Sequence, residues 1–99
     1  MTPIFRWSGE YFGFTSGDYL FGATSTYFAW IEHGRVWRSD GPYVGEIVDE
    51  NYVLRNSSMV PPAPRVPRIP PIPPIPPVPS INRVGRIPRI GWTDALGNL

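Results

Sequence analysis

Residues 11–21 read YFGFTSGDYLF, residues 27–37 YFAWIEHGRVW and residues 43–53 YVGEIVDENYV, three versions of one segment at a sixteen-residue spacing. Each opens on Tyr and an apolar residue, passes a small one (Gly13, Ala29, Gly45) and enters a short alternating run. A polar turn follows, at Gly17-Asp18, His33-Gly34 and Asp49-Glu50-Asn51, and then a second short strand: Tyr19–Phe21, Val36–Arg38, Tyr52–Leu54. β-Formers on both sides of turn residues predict a hairpin in each unit, and repetition at a fixed period predicts equivalent units. Ser8-Gly9, Thr24-Ser25 and Asp40-Gly41 punctuate one unit from the next. No window sustains a 3.6-residue period, so the chain is predicted to be all-β with essentially no helix.

Small residues at 13, 29 and 45 fit two arrangements: strands crowding a common centre, or tightly twisted strands with no shared axis. The half-units add a clue. Ile4–Trp7 looks like a second strand without a first, because FRWSGEYF (5–12) parallels VWRSDGPYV (36–44). The missing partner needs an apolar–small–apolar core, and Ile90-Gly91-Trp92 parallels Phe12-Gly13-Phe14. The expectation is that this segment pairs with Ile4–Trp7 and completes a fourth petal, removing an open sheet edge.

Taken together, IFRW (4–7), GEYFGF (9–14), GDYLF (17–21) and HGRVWRSDGPYVGEIVDENYVLR (33–55) resemble the small bacterial family described as 4-fold β-flower proteins. The resemblance covers roughly residues 4 to 55. It implies an all-β domain of four hairpin-like petals in a pseudo-fourfold flower or barrel, and it implies no activity, cofactor or catalytic residue.

Residues 61–90 follow a different rule: PPA PRV PRI PPI PPI PPV PSI NRV GRI PRI, with an apolar residue in every third place. Polyproline II has three residues per turn, so a period of three draws continuous stripes along an extended arm. One stripe is Pro, one is aliphatic from Ala63 to Ile90, and the third carries Pro in the middle and Arg at both ends (Arg65, Arg68, Arg83, Arg86, Arg89). Replication of an IPP unit accounts for PPIPPIPP but not for PRVPRI or NRVGRI, where the prolines change and the aliphatic stripe persists. The stripe is expected to be covered, since burying one Val or Ile stabilises by roughly 1.5–3 kcal/mol. Thirty residues at ~3.1 Å each would span about 90 Å, so the arm must turn back or reach another chain, with a bend at Asn82 and Gly85. The layout expected is a β-repeat domain over 1–57, a proline-triplet polyproline-II arm packing on it over 58–89, and a closing segment over 90–99.

Charge divides the same way. Four Arg face seven carboxylates through residue 60, and five Arg face Asp94 after it, so an acidic body carries a basic arm. Every cation is Arg and none is Lys; a guanidinium stacks on aromatic rings and pairs with carboxylates better than an ammonium does. With no Cys, disulfides and thiolate metal sites are excluded. The first ten residues show no signal peptide and no run has the length of a membrane span, so a cytoplasmic protein without membrane contact is expected.

Sites for chemistry are sparse. His33, the one histidine, sits in a turn, and the carboxylates at 18, 32, 40, 49 and 50 fall at turns where they serve backbone geometry. No metal spacing, phosphate loop or nucleophile elbow is present, so no enzyme activity, metal or cofactor is expected. The reading is a non-enzymatic structural or binding module. Its contact set is Trp7, Tyr11, Tyr27, Trp30, Trp37 and Tyr43 on the body with Arg65, Arg68, Ile69, Ile72 and Ile75 on the arm, used in cis or on a second copy. Two other readings stay open: presentation of the arm to a partner protein, since Arg68, Pro71 and Pro74 have the spacing that SH3 domains read, and weak binding of single-stranded nucleic acid by the arginines, with nucleic acid the less favoured partner.

Overall fold

Alternation gives each repeat a strand with two unlike faces, and in the computed structural model, which describes residues 1–99, eight strands form one sheet in chain order. They are β1 (Thr2–Phe5), β2 (Tyr11–Ser16), β3 (Tyr19–Gly22), β4 (Tyr27–Glu32), β5 (Arg35–Arg38), β6 (Tyr43–Val48), β7 (Tyr52–Asn56) and β8 (Trp92–Asp94). Neighbours are antiparallel, and β7 also meets β1 in parallel at Phe5 and Tyr52, which closes seven strands into a mixed barrel. One 3-10 turn, Leu96–Asn98, is the only helical element. Residues 60–89 contain neither helix nor strand. The molecule is a flattened disc of 36 × 35 × 19 Å.

The turns explain the polar residues between paired strands. His33 and Gly34 both have positive φ, 52° and 75°, as do Asp49 and Glu50 at 50° and 65°; two such residues in succession match the right-handed twist of a hairpin. His33 thus belongs to a tight turn. The linkers between units are one turn built three times: the amides of Gly9, Ser25 and Gly41 donate to the carbonyls of Arg6, Gly22 and Arg38 at 2.8, 3.0 and 2.8 Å.

The small residues meet at a common centre. Ile4 pairs with Gly13, Leu20 with Ala29 and Val36 with Gly45, while the Ala95 amide donates to the Val53 carbonyl at 3.0 Å. Ile4, Leu20, Val36, Val53, Ala29 and Ala95 all belong to one buried cluster. A Cβ added to Gly13 would lie 2.1 Å from the Phe21 carbonyl oxygen; on Gly45 it would lie 2.5 Å from that of Leu54 and 3.2 Å from the Ala95 Cβ.

The closing strand differs from the expectation. Trp92–Asp94 pairs with β7, in the register Leu54–Asp94, Arg55–Thr93 and Asn56–Trp92, and not with Ile4–Trp7. Ala95 fills the place of the small residue, and Gly91 instead takes a positive φ of 83° in the turn before β8. The polar Asp94 stands where the other petals have Phe or Val because its carboxylate accepts the amides of Trp7 and Leu96, both at 2.9 Å. Those bonds join the last strand to the chain just after β1.

Gly13→Ala is expected to lower unfolding free energy by about 3 kcal/mol or more, since backbone rather than a mobile side chain blocks the new methyl. Gly97→Ala, which meets nothing within 4 Å, should leave stability within about 0.5 kcal/mol. Urea unfolding of the two variants separates the cases.

Candidate functional site

Because neighbouring residues on a strand face opposite ways, the residue after each central aliphatic points away from the centre: Phe5 after Ile4, Phe21 after Leu20, Trp37 after Val36. These rings and their partners make an aromatic wall, with Trp37 against Tyr43 at 5.3 Å, Phe14 against Phe21 at 5.4 Å, Phe5 against Tyr11 at 5.9 Å and Trp7 against Tyr52 at 5.0 Å. Each pair is buried or half-buried, so something lies over it.

Residues 65–89 lie over it, in register with the repeat. The Arg65 amide donates to the Gly41 carbonyl (2.9 Å), the Ser25 hydroxyl to the Pro74 carbonyl (2.6 Å), and the Arg83 amide to the Gly9 carbonyl (2.7 Å). The three equivalent linker turns, sixteen residues apart, are therefore met in reverse order by positions nine residues apart. At the middle contact the direction of the bond inverts, and the reason is covalent: Pro74 has no N–H to give, so a side chain must be the donor. Ser25 supplies it, holding a left-handed φ of 64° where the other two turns have glycine. At those other turns no side chain fits, since a Cβ on Gly9 or Gly41 would stand 1.9 or 2.0 Å from the carbonyl oxygen of Arg83 or Arg65.

Arginine does the rest. Arg68 and Arg86 donate their amides to the carbonyls of Ser39 (3.3 Å) and Trp7 (3.0 Å). All five arm guanidiniums cover aromatic rings: Arg65 over Trp37 at 4.4 Å, Arg68 over Trp30 at 5.0 Å, Arg83 over Phe5 at 4.1 Å, Arg86 over Trp7 at 4.7 Å and Arg89 over Trp92 at 4.9 Å. Arg65 also pairs with Glu32, which lies 3.7 Å from Arg68, and Arg86 pairs with Asp49 at 2.8 Å. Each cation–π contact contributes about 0.5–1 kcal/mol where exposed and more when desolvated.

The sequence-derived contact set is thus split. Trp37 meets Arg65 and Trp30 meets Arg68 directly, while Trp7 meets Arg86, outside that set, and its indole donates to the Ile87 carbonyl at 3.0 Å. Tyr43 backs Trp37, Tyr27 backs Phe21 and Tyr19, and the Tyr11 amide donates to the Asn82 side chain at 2.9 Å. Ile69, Ile72 and Ile75 do not join them. The aliphatic stripe faces outward, with every third side chain from Val66 to Ile90 between 85% and 99% exposed, while Arg68, Pro71, Pro74, Pro77 and Ser80 are the half-buried positions. The stripe expected to be covered is therefore the exposed one, because the Arg/Pro stripe offers the guanidiniums and amides that the wall and turns take up. Asn82 and Gly85 do not bend the chain away either. Gly85 lies against the Ser8 carbonyl, where a Cβ would approach to 2.9 Å. Gly9, Ser25, Gly41, Glu32 and Asp49 were not legible as contacts; the signal that could have found them is the pairing of a nine-residue arm spacing with the sixteen-residue repeat.

A cleft of about 480 Å³ opens between Trp7, Asp49, Arg86, Ile87, Pro88 and Arg89. Its one carboxylate, Asp49, is committed to Arg86. No three His, Asp or Glu side chains stand close enough to share a metal ion. Burial raises the phenols of Tyr11, Tyr27 and Tyr43 above their ordinary value; at Tyr27 the Arg68 charge partly offsets it, and at Tyr43 Glu46 adds to it. The hydroxyls of Tyr27 and Tyr43 and the indole N–H groups of Trp30 and Trp37 are buried without a hydrogen-bond partner.

The family model described as 4-fold beta flower protein matches residues 2–95, and the chain belongs to that family. The match extends to Ala95 and so takes in the closing strand. Among curated proteins and among solved structures, nothing matches the chain.

Two outcomes are expected. Ser25→Ala removes the donor for Pro74 and keeps the left-handed strain, so it should destabilise by about 1–2 kcal/mol, whereas Ser25→Ala/Pro74→Arg should recover part of that loss, because residue 74 regains an amide; a double-mutant cycle in urea measures it. A phenol pKa raised in the fold means that stability is full below pH ~10 and falls as pH rises through the folded values. Tyr27→Phe should therefore weaken the loss of stability that sets in above pH ~10. At pH 7 it should leave stability unchanged or raise it by up to about 1 kcal/mol, since the lost hydroxyl had no partner.

Proposed function

We propose that this chain is a non-enzymatic binding module whose proline-rich arm is clasped by its own barrel in cis, with the outward stripe of the arm as the surface it offers. The observation that carries this reading is the register of Arg65, Pro74 and Arg83 on three equivalent turns, with the arginines turned inward and the Val/Ile side chains outward. The span agrees. Arg65 to Arg89 at ~3.1 Å per residue covers about 75 Å, and the perimeter of a disc this size is about 110 Å. An extended arm thus fits as a partial girdle without leaving the body.

The same observation weighs against the other readings. The SH3-type spacing Arg68–Pro71–Pro74 lies on the inward stripe, with Arg68 on Trp30 and the Pro74 carbonyl on Ser25. The arginines that would track phosphates stack on the protein's own rings, and three of them also face Glu32 or Asp49. An enzyme reading finds no acid–base pair in a cleft: the larger cleft has one carboxylate, Asp49, bonded to Arg86, and the smaller one has none.

Amide hydrogen exchange on the full chain tests the clasp. The amides of Arg65, Arg68, Arg83 and Arg86 should exchange at least about tenfold more slowly than those of Val66, Ile69, Val84 and Ile87, to the same degree from about 10 µM to 1 mM protein. Uniform, unprotected exchange along residues 65–87 would falsify it.

A further inference from the structure

We propose that the aliphatic ridge is a self-association surface, on which two copies of this chain pair ridge to ridge about a two-fold axis near Ile75. The inference rests on the cis clasp, because only an arm held by its arginine stripe keeps the ridge outward.

Size is the first argument. Nine Val and Ile side chains, one at every third position from Val66 to Ile90, are 85–99% exposed. At the roughly 60–120 Å² of apolar area implied for each such side chain, the ridge presents about 500–1,100 Å², from the upper end of the roughly 300–600 Å² of a typical monomer's largest patch to well beyond it. Because the arm follows the curve of the disc, two ridges touch over the central part. Ile72, Ile75 and Val78, with the exposed prolines beside them, then make a contact at the low end of interface size, the range of weak and transient dimers.

Charge is the second. From Ile69 to Ile81 there is no charged residue, and the outward positions are only Pro, Val and Ile. A partner chosen by charge has nothing to read there. An anionic lipid surface finds hydrocarbon without free cations, since the five arm guanidiniums lie on the protein's own rings, and stable membrane attachment takes two such signals.

Shape is the third. A two-fold interface must be self-complementary. A row of like side chains at constant pitch meets that condition when run against itself in antiparallel fashion, each side chain set against one of its partner's. The stretch Val66–Val84 has Ile75 at its midpoint, so the two copies meet at Ile75 and Ile72 faces Val78 of the partner subunit.

Sedimentation equilibrium of the full chain from 1 µM to 1 mM tests this, alongside Ile72→Gln/Ile75→Gln, whose sites are exposed and leave the barrel untouched. The expected result is a dimer for the parent chain and a dissociation constant at least about 100-fold higher for the variant, with slowed exchange of the Arg65 and Arg83 amides retained in both. A monomer up to 1 mM, or equal dimerisation of the variant, overturns the proposal while leaving the clasp intact; loss of amide protection overturns the clasp itself. Sedimentation of monomeric chain with phosphatidylcholine vesicles also overturns it and identifies a lipid surface as the occupant. The chain has no cysteine, so Ile75→Cys gives a clean second reading. Mild oxidation should link two copies through residue 75 at least tenfold faster than through His33→Cys in the β4–β5 turn, and equal rates count against the pairing.

Discussion

Crowding at the centre of the disc governs the rest of the structure. Four strands bring Ile4, Leu20, Val36 and Val53 to one point, and the facing positions 13, 29, 45 and 95 hold nothing larger than a methyl group. The interior is then full. Every aromatic ring that follows a central aliphatic is forced to the other face of its strand, where the barrel has no second layer to receive it. The wall of Trp, Tyr and Phe follows from the glycine and alanine positions, and the need for a cover follows from the wall.

The cover is unusual in using arginine where a sheet would use aliphatics. Proline leaves the inward stripe with amides only at its non-proline residues, and in the segments beside Gly41 and Gly9 those residues are arginines. Each therefore does two jobs: its amide satisfies a turn carbonyl, and its guanidinium caps a ring. Lysine could do the first but would cover the ring poorly, which fits a chain that contains no lysine. Where the stripe is proline alone, the body compensates with the Ser25 hydroxyl.

Much of this was written plainly in the chain. The sixteen-residue period identifies seven of the eight strands, because each petal must meet the same two demands, a small residue inside and a ring outside. Family membership was legible in the same residues. The eighth strand was misplaced because Ile90-Gly91-Trp92 has the apolar pattern of a petal, while the segment that closes the sheet begins its core with Asp94, chosen for two backbone amides rather than for burial. The outward ridge was misjudged for a related reason. Hydrophobicity ranks a row of isoleucines as the face to bury, but the contacts that position the arm are hydrogen bonds and ring stacking, which the arginine stripe alone provides.

The half-buried positions Arg68, Pro71, Pro74, Pro77 and Ser80 recur every three residues, and this constrains how such an arm can change length. Losing one residue would rotate everything downstream by about a third of a turn and put isoleucine against the rings. Losing three would keep the face but draw the next anchor some 9 Å short of its turn. Only a nine-residue change, matched by loss or gain of a whole petal, preserves both face and anchorage. Insertions and deletions in the arm are thus tied to the number of petals, although the two regions share no sequence.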